Sequence, residues 1–156
     1  MRDVIKCYEV LDGKECTRNI AERRRKVVES DDTMTKRYAE ITGAVYCDAI
    51  YDLYMSESLR TVLTRWRLSC FDLMIEKGRY MSLPREERIC SFCDTIEDEH
   101  HVIFNCRAYD SIRTQFIDLL KANTTIQQIL NPRNKNTAEQ IGKFLKMIED
   151  ERKLLL

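Results

Sequence analysis

Four side chains within one short stretch carry the clearest chemistry in the chain: Cys90, Cys93, His101 and Cys106. Two residues separate Cys90 from Cys93, seven separate Cys93 from His101, and four separate His101 from Cys106. Three thiols and one imidazole make a complete tetrahedral set. Such a set suits Zn2+, a borderline-soft ion that takes sulfur and nitrogen at four corners in structural sites. With every corner filled by protein, no position is left for a reactive water, so the metal is expected to hold shape and not to hydrolyse anything. His100 is the rival to His101, which is preferred because it leaves the four-residue gap of a CCHC zinc knuckle. The competing reading is that these are ordinary buried cysteines, packed as small apolar groups beside a surface histidine.

No other constellation points to catalysis. A zinc deaminase needs H-x-E ahead of P-C-x-x-C, whereas both histidines here follow the cysteine pair. A Cys106–His101 dyad would require both groups to leave the metal, and no glycine-rich oxyanion turn is nearby. With four glycines in all, the chain has no phosphate-cradling loop, and its carboxylates are scattered among lysines and arginines. The expectation is a non-enzyme with no small-molecule substrate.

Composition narrows the class further. The chain has 156 residues, with 26 Lys and Arg against 26 Asp and Glu, so the net charge is zero and the bulk balance announces neither nucleic acid nor an anionic membrane. An apolar share of 44% is that of a folded protein. Seven cysteines is an odd number, and charges interrupt the first twenty residues, leaving no apolar core of a secretory signal. Nor is there an apolar run long enough to cross a membrane. These features predict an intracellular protein, cytoplasmic or nuclear, whose thiols serve metals or cores; Cys7, Cys16, Cys47 and Cys70 are read as plain cysteines.

The elements that must position the four ligands are helical by periodicity. Residues 1–55 form an N-terminal helical segment and residues 56–156 a helical zinc-knuckle domain, expected to pack as one compact unit. In the first segment, Tyr38, Ile41, Val45, Tyr46, Ile50, Leu53 and Tyr54 recur at helical spacing, and Arg23, Arg24, Arg25 and Lys26 form the densest basic cluster. A helix over residues 58–78 carries Leu59, Val62, Leu63, Trp66, Cys70, Leu73 and Met74 on one stripe and Leu68, Phe71 and Ile75 on another, so it is predicted to be buried on two sides and to end at Gly78. Along its edges, Arg65 faces Asp72 and Glu76, while Arg60 and Arg67 have no acidic partner within the helix. Asp98 and Glu99 cap a short helix bearing His101. A further helix carries Tyr109, Ile112, Phe116, Ile117 and Leu120, a short amphipathic piece spans 124–130, and a last helix opens at Thr137 with Ile141, Phe144, Leu145 and Ile148 facing in. The fold class is therefore mainly α, a helical bundle with a small CCHC zinc-knuckle insert.

From about Leu63 onward the order of motifs is distinctive. Leu63-Thr-Arg-Trp-Arg-Leu-Ser, Ile75-Glu-Lys-Gly-Arg-Tyr, Arg88-Ile-Cys-x-x-Cys, Glu97-Asp-Glu-x-His-Val-Ile-Phe-x-Cys, Tyr109, Arg113 and the closing Ile141-Gly-Lys-Phe-Leu to Arg152-Lys resemble the region after the reverse transcriptase in LINE-type non-LTR retrotransposon polyproteins. The likeness covers roughly the last 95 residues; residues 1–55 match only loosely, and the loop between Cys93 and His101 is shorter than in many relatives. The resemblance implies a retrotransposon-derived zinc-knuckle module, with Cys90, Cys93, His101 and Cys106 as ligands, that helps hold RNA or target DNA. The polymerase and endonuclease of that family have no counterpart here.

On that reading the partner is RNA or single-stranded DNA, held by stacking and charge. Phe92, between the first two ligands, is the candidate stacking residue and is equally readable as a core plug. Arg60, Arg67, Arg85, Arg88 and Arg107 are the candidate phosphate contacts. Asp94, Glu97, Asp98 and Glu99 line the same loop and would repel a phosphate backbone. A zinc-stapled structural or protein-interaction domain is the second expectation, and balanced charge favours it.

Overall fold

The computed structural model describes Ile41 and residues 53–156. Of the helix expected to carry Tyr38 to Tyr54, Ile41 is helical and buried, whereas Leu53 and Tyr54 are not helical and Tyr54 is exposed. The rest of that helix, the earlier one, the basic cluster of Arg23, Arg24, Arg25 and Lys26, and Cys7, Cys16 and Cys47 lie outside the described residues. Within the described residues the chain is mainly helical, as its periodicity predicts, and no strand is present. Across residues 53–156 five α-helices are described: α1 Glu57–Arg67, α2 Met74–Tyr80, α3 Asp110–Gln115, α4 Ile126–Leu130 and α5 Lys135–Leu155. Between α2 and α3 run a 3-10 turn Arg85–Glu87, an isolated antiparallel bridge from Ile89 to Ile96, a π turn His101–Asn105 and a second 3-10 turn Arg107–Tyr109. None of the described helices is long and apolar enough to cross a membrane.

α1 and α5 form the centre. Val62, Leu63 and Trp66 of α1 meet Ile141, Phe144, Leu145 and Ile148 of α5 in one buried cluster, joined by Ile41, Tyr109, Ile112, Ile129 and Leu130. Burying each such aliphatic or aromatic side chain is worth about 1.5–3 kcal/mol, so this seam dominates stability. The two helices approach closely at Gly142, where a Cβ would stand 2.9 Å from Leu59 Cβ. Trp66 stacks on Phe71 with ring centroids 4.8 Å apart, and Phe116 tilts against Phe144 at 5.4 Å.

One carboxylate is caught in this seam. Glu149 of α5 is buried and pairs with Arg65 of α1, close to the Trp66 indole. Burial pushes the Glu149 carboxyl up, against the pull of Arg65. The folded state therefore binds a proton that the unfolded state has already released, and stability falls as pH rises through that window. Glu149→Gln, which removes the buried charge and keeps the shape, is expected to be more stable than the parent at about pH 7. The advantage should shrink towards zero at about pH 4, where both states of the parent approach neutrality. Urea midpoints of the two proteins at both pH values check this; a less stable variant at neutral pH would mean that the Arg65 pairing outweighs desolvation.

The single helix predicted over 58–78 is two helices. α1 closes with a full Schellman arrangement: Ser69 N–H donates to Trp66 O at 3.2 Å and Cys70 N–H to Arg65 O at 2.8 Å, with Ser69 at φ 49°. Glycine usually occupies that left-handed position. Here serine does, and its hydroxyl is held by the buried Glu99 carboxylate. Turning the chain there leaves Leu68 and Cys70 exposed, so the predicted stripes stop at Trp66 and resume at Leu73 and Ile75. The edge pairing changes too: Arg65 reaches Glu149, Lys77 pairs with Asp72 at 2.8 Å, and Arg79 pairs with Glu76 at 2.9 Å.

α2 does not end at Gly78 either. It runs to Tyr80 and closes on Ser82, at φ 56°, through Ser82 N–H to Arg79 O and Leu83 N–H to Gly78 O. Gly78 serves a different need. A Cβ there would lie 2.5 Å from Arg88 Cγ and 2.9 Å from its Cδ, because the Arg88 side chain crosses the helix at that point. Further on, the predicted helix after Cys106 is short. α3 stops at Gln115 as Phe116 turns in towards Phe144, and Ile117, expected on the buried side, is 68% exposed. α4 begins with a capping box between Thr125 and Gln128, and α5 begins two residues before Thr137, with Asn134 Oδ1 accepting from Thr137 N.

Candidate metal centre

A small hairpin presents the first two thiols. Cys90 N–H donates to Thr95 O at 2.8 Å and Glu97 N–H to Arg88 O at 2.9 Å, on either side of the Ile89–Ile96 bridge. Between the arms the chain turns tightly, with Cys93 N–H and Asp94 N–H both directed at Cys90 O. Asp94 takes φ 52°, a left-handed value that aspartate tolerates better than most side chains. Burial pushes both the Cys90 and the Cys106 thiol up, and the backbone N–H of Phe92 facing the Cys90 sulfur and that of Ala108 facing the Cys106 sulfur offset only part of the rise. Amides aimed at sulfur are what a thiolate requires.

The other two ligands come from the π turn. Of the two predicted caps Asp98 starts it, its Oδ1 accepting from His101 N at 2.9 Å, while Glu99 turns to Ser69 instead; Cys106 N–H donates to His101 O at 2.8 Å and closes the turn. In an α-helix two residues five apart would diverge by about 140°. The wider i to i+5 ring instead brings His101 and Cys106 to the same side. Arg113 of α3 donates to the carbonyls of Val102 and Cys106 and fixes the end of the turn. His101 is buried and His100 exposed, so the imidazole that joins the thiols is that of His101.

The four ligand atoms of Cys90, Cys93, His101 and Cys106 lie within 4.8 Å of one another, a group that could hold a metal ion. Cys106 Sγ is 3.7 Å from both Cys90 Sγ and Cys93 Sγ, and all three cysteines are free. Two sulfurs at the corners of a tetrahedron around Zn2+, each at 2.3 Å, would be about 3.8 Å apart, so the spacing fits that ion. His101 Nδ1 meets Thr95 Oγ1 at 3.1 Å, whereas Nε2 is buried without a partner among the described residues. A buried ring nitrogen with nothing to bond is costly unless something completes it. Thr95 can accept the Nδ1 proton, which leaves the Nε2 lone pair for a cation. Burial pushes the His101 pKa down against the pull of Asp98 and Glu97, which favours the neutral, ligating imidazole. Burial also raises the Cys90 thiol and pushes Cys106 up to about 12, so without a cation this pocket holds thiols, and a bound cation must displace their protons.

Around the ligands lies a buried polar frame. Arg152 of α5 donates to both oxygens of Glu97, at 2.6 and 2.9 Å, to Asp72 O at 3.0 Å and to Tyr109 Oη at 3.3 Å. Glu97 Oε2 also accepts the N–H of Met74, the first residue of α2. Thr95, Glu97 and Arg152 had no signature in the ligand spacing. Glu97 and Arg152 are far apart in sequence and meet only in the fold.

The structure places the candidate nucleic-acid contacts in two groups. Arg85 and Arg107 are exposed on either side of the ligand segment, Arg85 lying 3.7 Å from Asp98. Phe92 is half-buried and packs on the core cluster. Arg88 donates to Leu83 O through Nε and Nη2 and to Ile75 O through Nη1, so its guanidinium braces the loop leaving α2. Arg67 is 5% exposed, and Arg60 reaches back to Leu53 O and Met55 O. Two of the carboxylates expected to repel phosphate are also turned inward, Glu97 onto Arg152 and Glu99 onto Ser69.

Against known protein families, characterised proteins and solved structures, the chain has no match.

Proposed function

We propose that this chain is a non-catalytic module in which one structural Zn2+, bound by Cys90, Cys93, His101 and Cys106, fixes a loop that holds RNA or single-stranded DNA. The closed set of three sulfurs and one orphaned imidazole nitrogen carries the reading, because it fills four coordination positions with protein and leaves none for substrate. The resemblance to the retrotransposon tail region supplies the partner class. Exposed Arg85 and Arg107 flank the loop, and withdrawing Glu97 and Glu99 into the interior removes two charges that would oppose a phosphate backbone. Phe92, half-buried between Cys90 and Cys93, is the candidate stacking residue.

A specific observation supports a second reading, a zinc-stapled domain that docks on protein. Arg67 and Arg88 are committed to the interior, which leaves a thin basic surface around the knuckle. A titration of fluorescent single-stranded RNA with zinc-loaded protein at two salt concentrations separates the two. The nucleic-acid reading expects affinity that falls steeply with salt and drops further in Arg85→Ala and Arg107→Ala, each of which should reduce the salt slope by roughly one. Absent binding, or binding indifferent to salt, would favour the protein partner.

A further inference from the structure

The hairpin that presents Cys90 and Cys93 does not stand on the metal alone. Its second arm ends in Glu97, whose carboxylate is 2% exposed and held by both Nη atoms of Arg152. The same guanidinium touches Tyr109, which follows Cys106 by three residues and whose N–H donates to Cys106 O. One side chain from α5 therefore reaches the ligand segment at two points: inside it, between Cys93 and His101, through Glu97, and just beyond Cys106 through Tyr109. Its Nε, bound to Asp72 O, ties both to the α1–α2 connection. Glu97 extends the tie, since its main-chain carbonyl accepts Ile75 N–H at 3.0 Å and its side chain caps α2 at Met74.

From this we infer that Arg152 is a positioning residue for the metal centre, and that metal binding and the docking of the C-terminal half of α5 are one coupled equilibrium. The inference rests on the zinc reading of the four ligands and adds a long-range group that braces the segment carrying them. Groups that orient metal ligands from outside typically change affinity by about 10- to 100-fold when removed, although they never touch the ion. Coupling of this kind is reciprocal: whatever factor Arg152 contributes to zinc affinity, zinc returns to the docking of the α5 terminus.

The test measures zinc affinity of the full chain by competition with a chromophoric chelator, together with hydrogen exchange of α5 amides with and without zinc. The proteins are the parent, Arg152→Lys, Glu97→Gln and a control, Ile148→Val, which trims the same helix one turn earlier in the apolar seam. Arg152→Lys keeps the charge but cannot grip both Glu97 oxygens, and Glu97→Gln keeps the shape but not the ion pair. Both are expected to bind zinc about 10- to 100-fold more weakly than the parent, while the control binds as the parent does. Stripping zinc from the parent should speed exchange at the end of α5, and in Arg152→Lys this effect should be much smaller. Zinc affinity unchanged in both variants, or lowered equally in Ile148→Val, would overturn the coupling while leaving the four-ligand site standing. A parent chain that binds no zinc would overturn the site and the coupling together.

Discussion

Substituting Cys90 and Cys93 together by serine is expected to abolish stoichiometric zinc and to unfold the segment from the hairpin to the start of α3. Structural zinc in small domains contributes about 10–16 kcal/mol of apparent binding free energy at neutral pH. Whole domains are stable by only about 5–15 kcal/mol, so the loss is comparable with everything that holds this one together. Regular structure in the ligand loop is sparse, with one isolated bridge, two short 3-10 turns and a single π turn, so the polar ties through Glu97 and Arg113 and the packing of Cys90 and Cys106 do not replace what the metal contributes. Serine in place of a nearly fully buried thiol would also leave a hydroxyl facing that cluster. Metal quantitation of the purified variant, with hydrogen exchange across residues 88–109, reads the outcome. A double variant as metal-bound and as heat-stable as the parent would refute it.

Glu97→Ala is expected to cost about 3–5 kcal/mol, the usual penalty for leaving a buried charge without its partner. Arg152 is 4% exposed, and its remaining acceptors, Asp72 O and Tyr109 Oη, carry no compensating charge. The N–H of Met74 at the start of α2 would lose its cap in the same step. Buried ion pairs often add little to stability once desolvation is counted, so replacing both partners should be far milder than replacing one. The double substitution of Glu97→Leu with Arg152→Met, made in zinc-loaded protein, is therefore expected to recover most of the loss. Chemical denaturation of parent, single and double variants forms the test. A single variant within about 1 kcal/mol of the parent would show that the pair is not the tie described.

The four clustered side chains, which could hold a metal ion, were legible because residue type and short spacing are displayed directly in sequence. Even the choice of His101 over His100 has a local cause in the π turn, which directs the former inward and leaves the latter exposed. Helix type was legible for the same reason: Leu63, Trp66, Phe144 and Leu145 recur at helical spacing and are all buried. The break after Arg67 was hidden because its left-handed position carries Ser69, with no glycine to mark it, and because the carboxylate that holds the serine lies thirty residues away at Glu99. Gly78 misled in the opposite direction, since the space it leaves admits Arg88 instead of ending a helix. Arg67 and Arg88 read as surface cations, yet one is buried and the other braces main-chain carbonyls. No periodicity reports where a long side chain finds its acceptors.

X-ray absorption at the zinc edge of the purified 156-residue chain addresses the central claim most directly. The expected first shell is three sulfurs at about 2.3 Å and one nitrogen at about 2.0–2.1 Å, with one zinc per chain. A shell dominated by oxygen, a shell lacking sulfur, or a chain that retains no zinc after purification without chelators would contradict it.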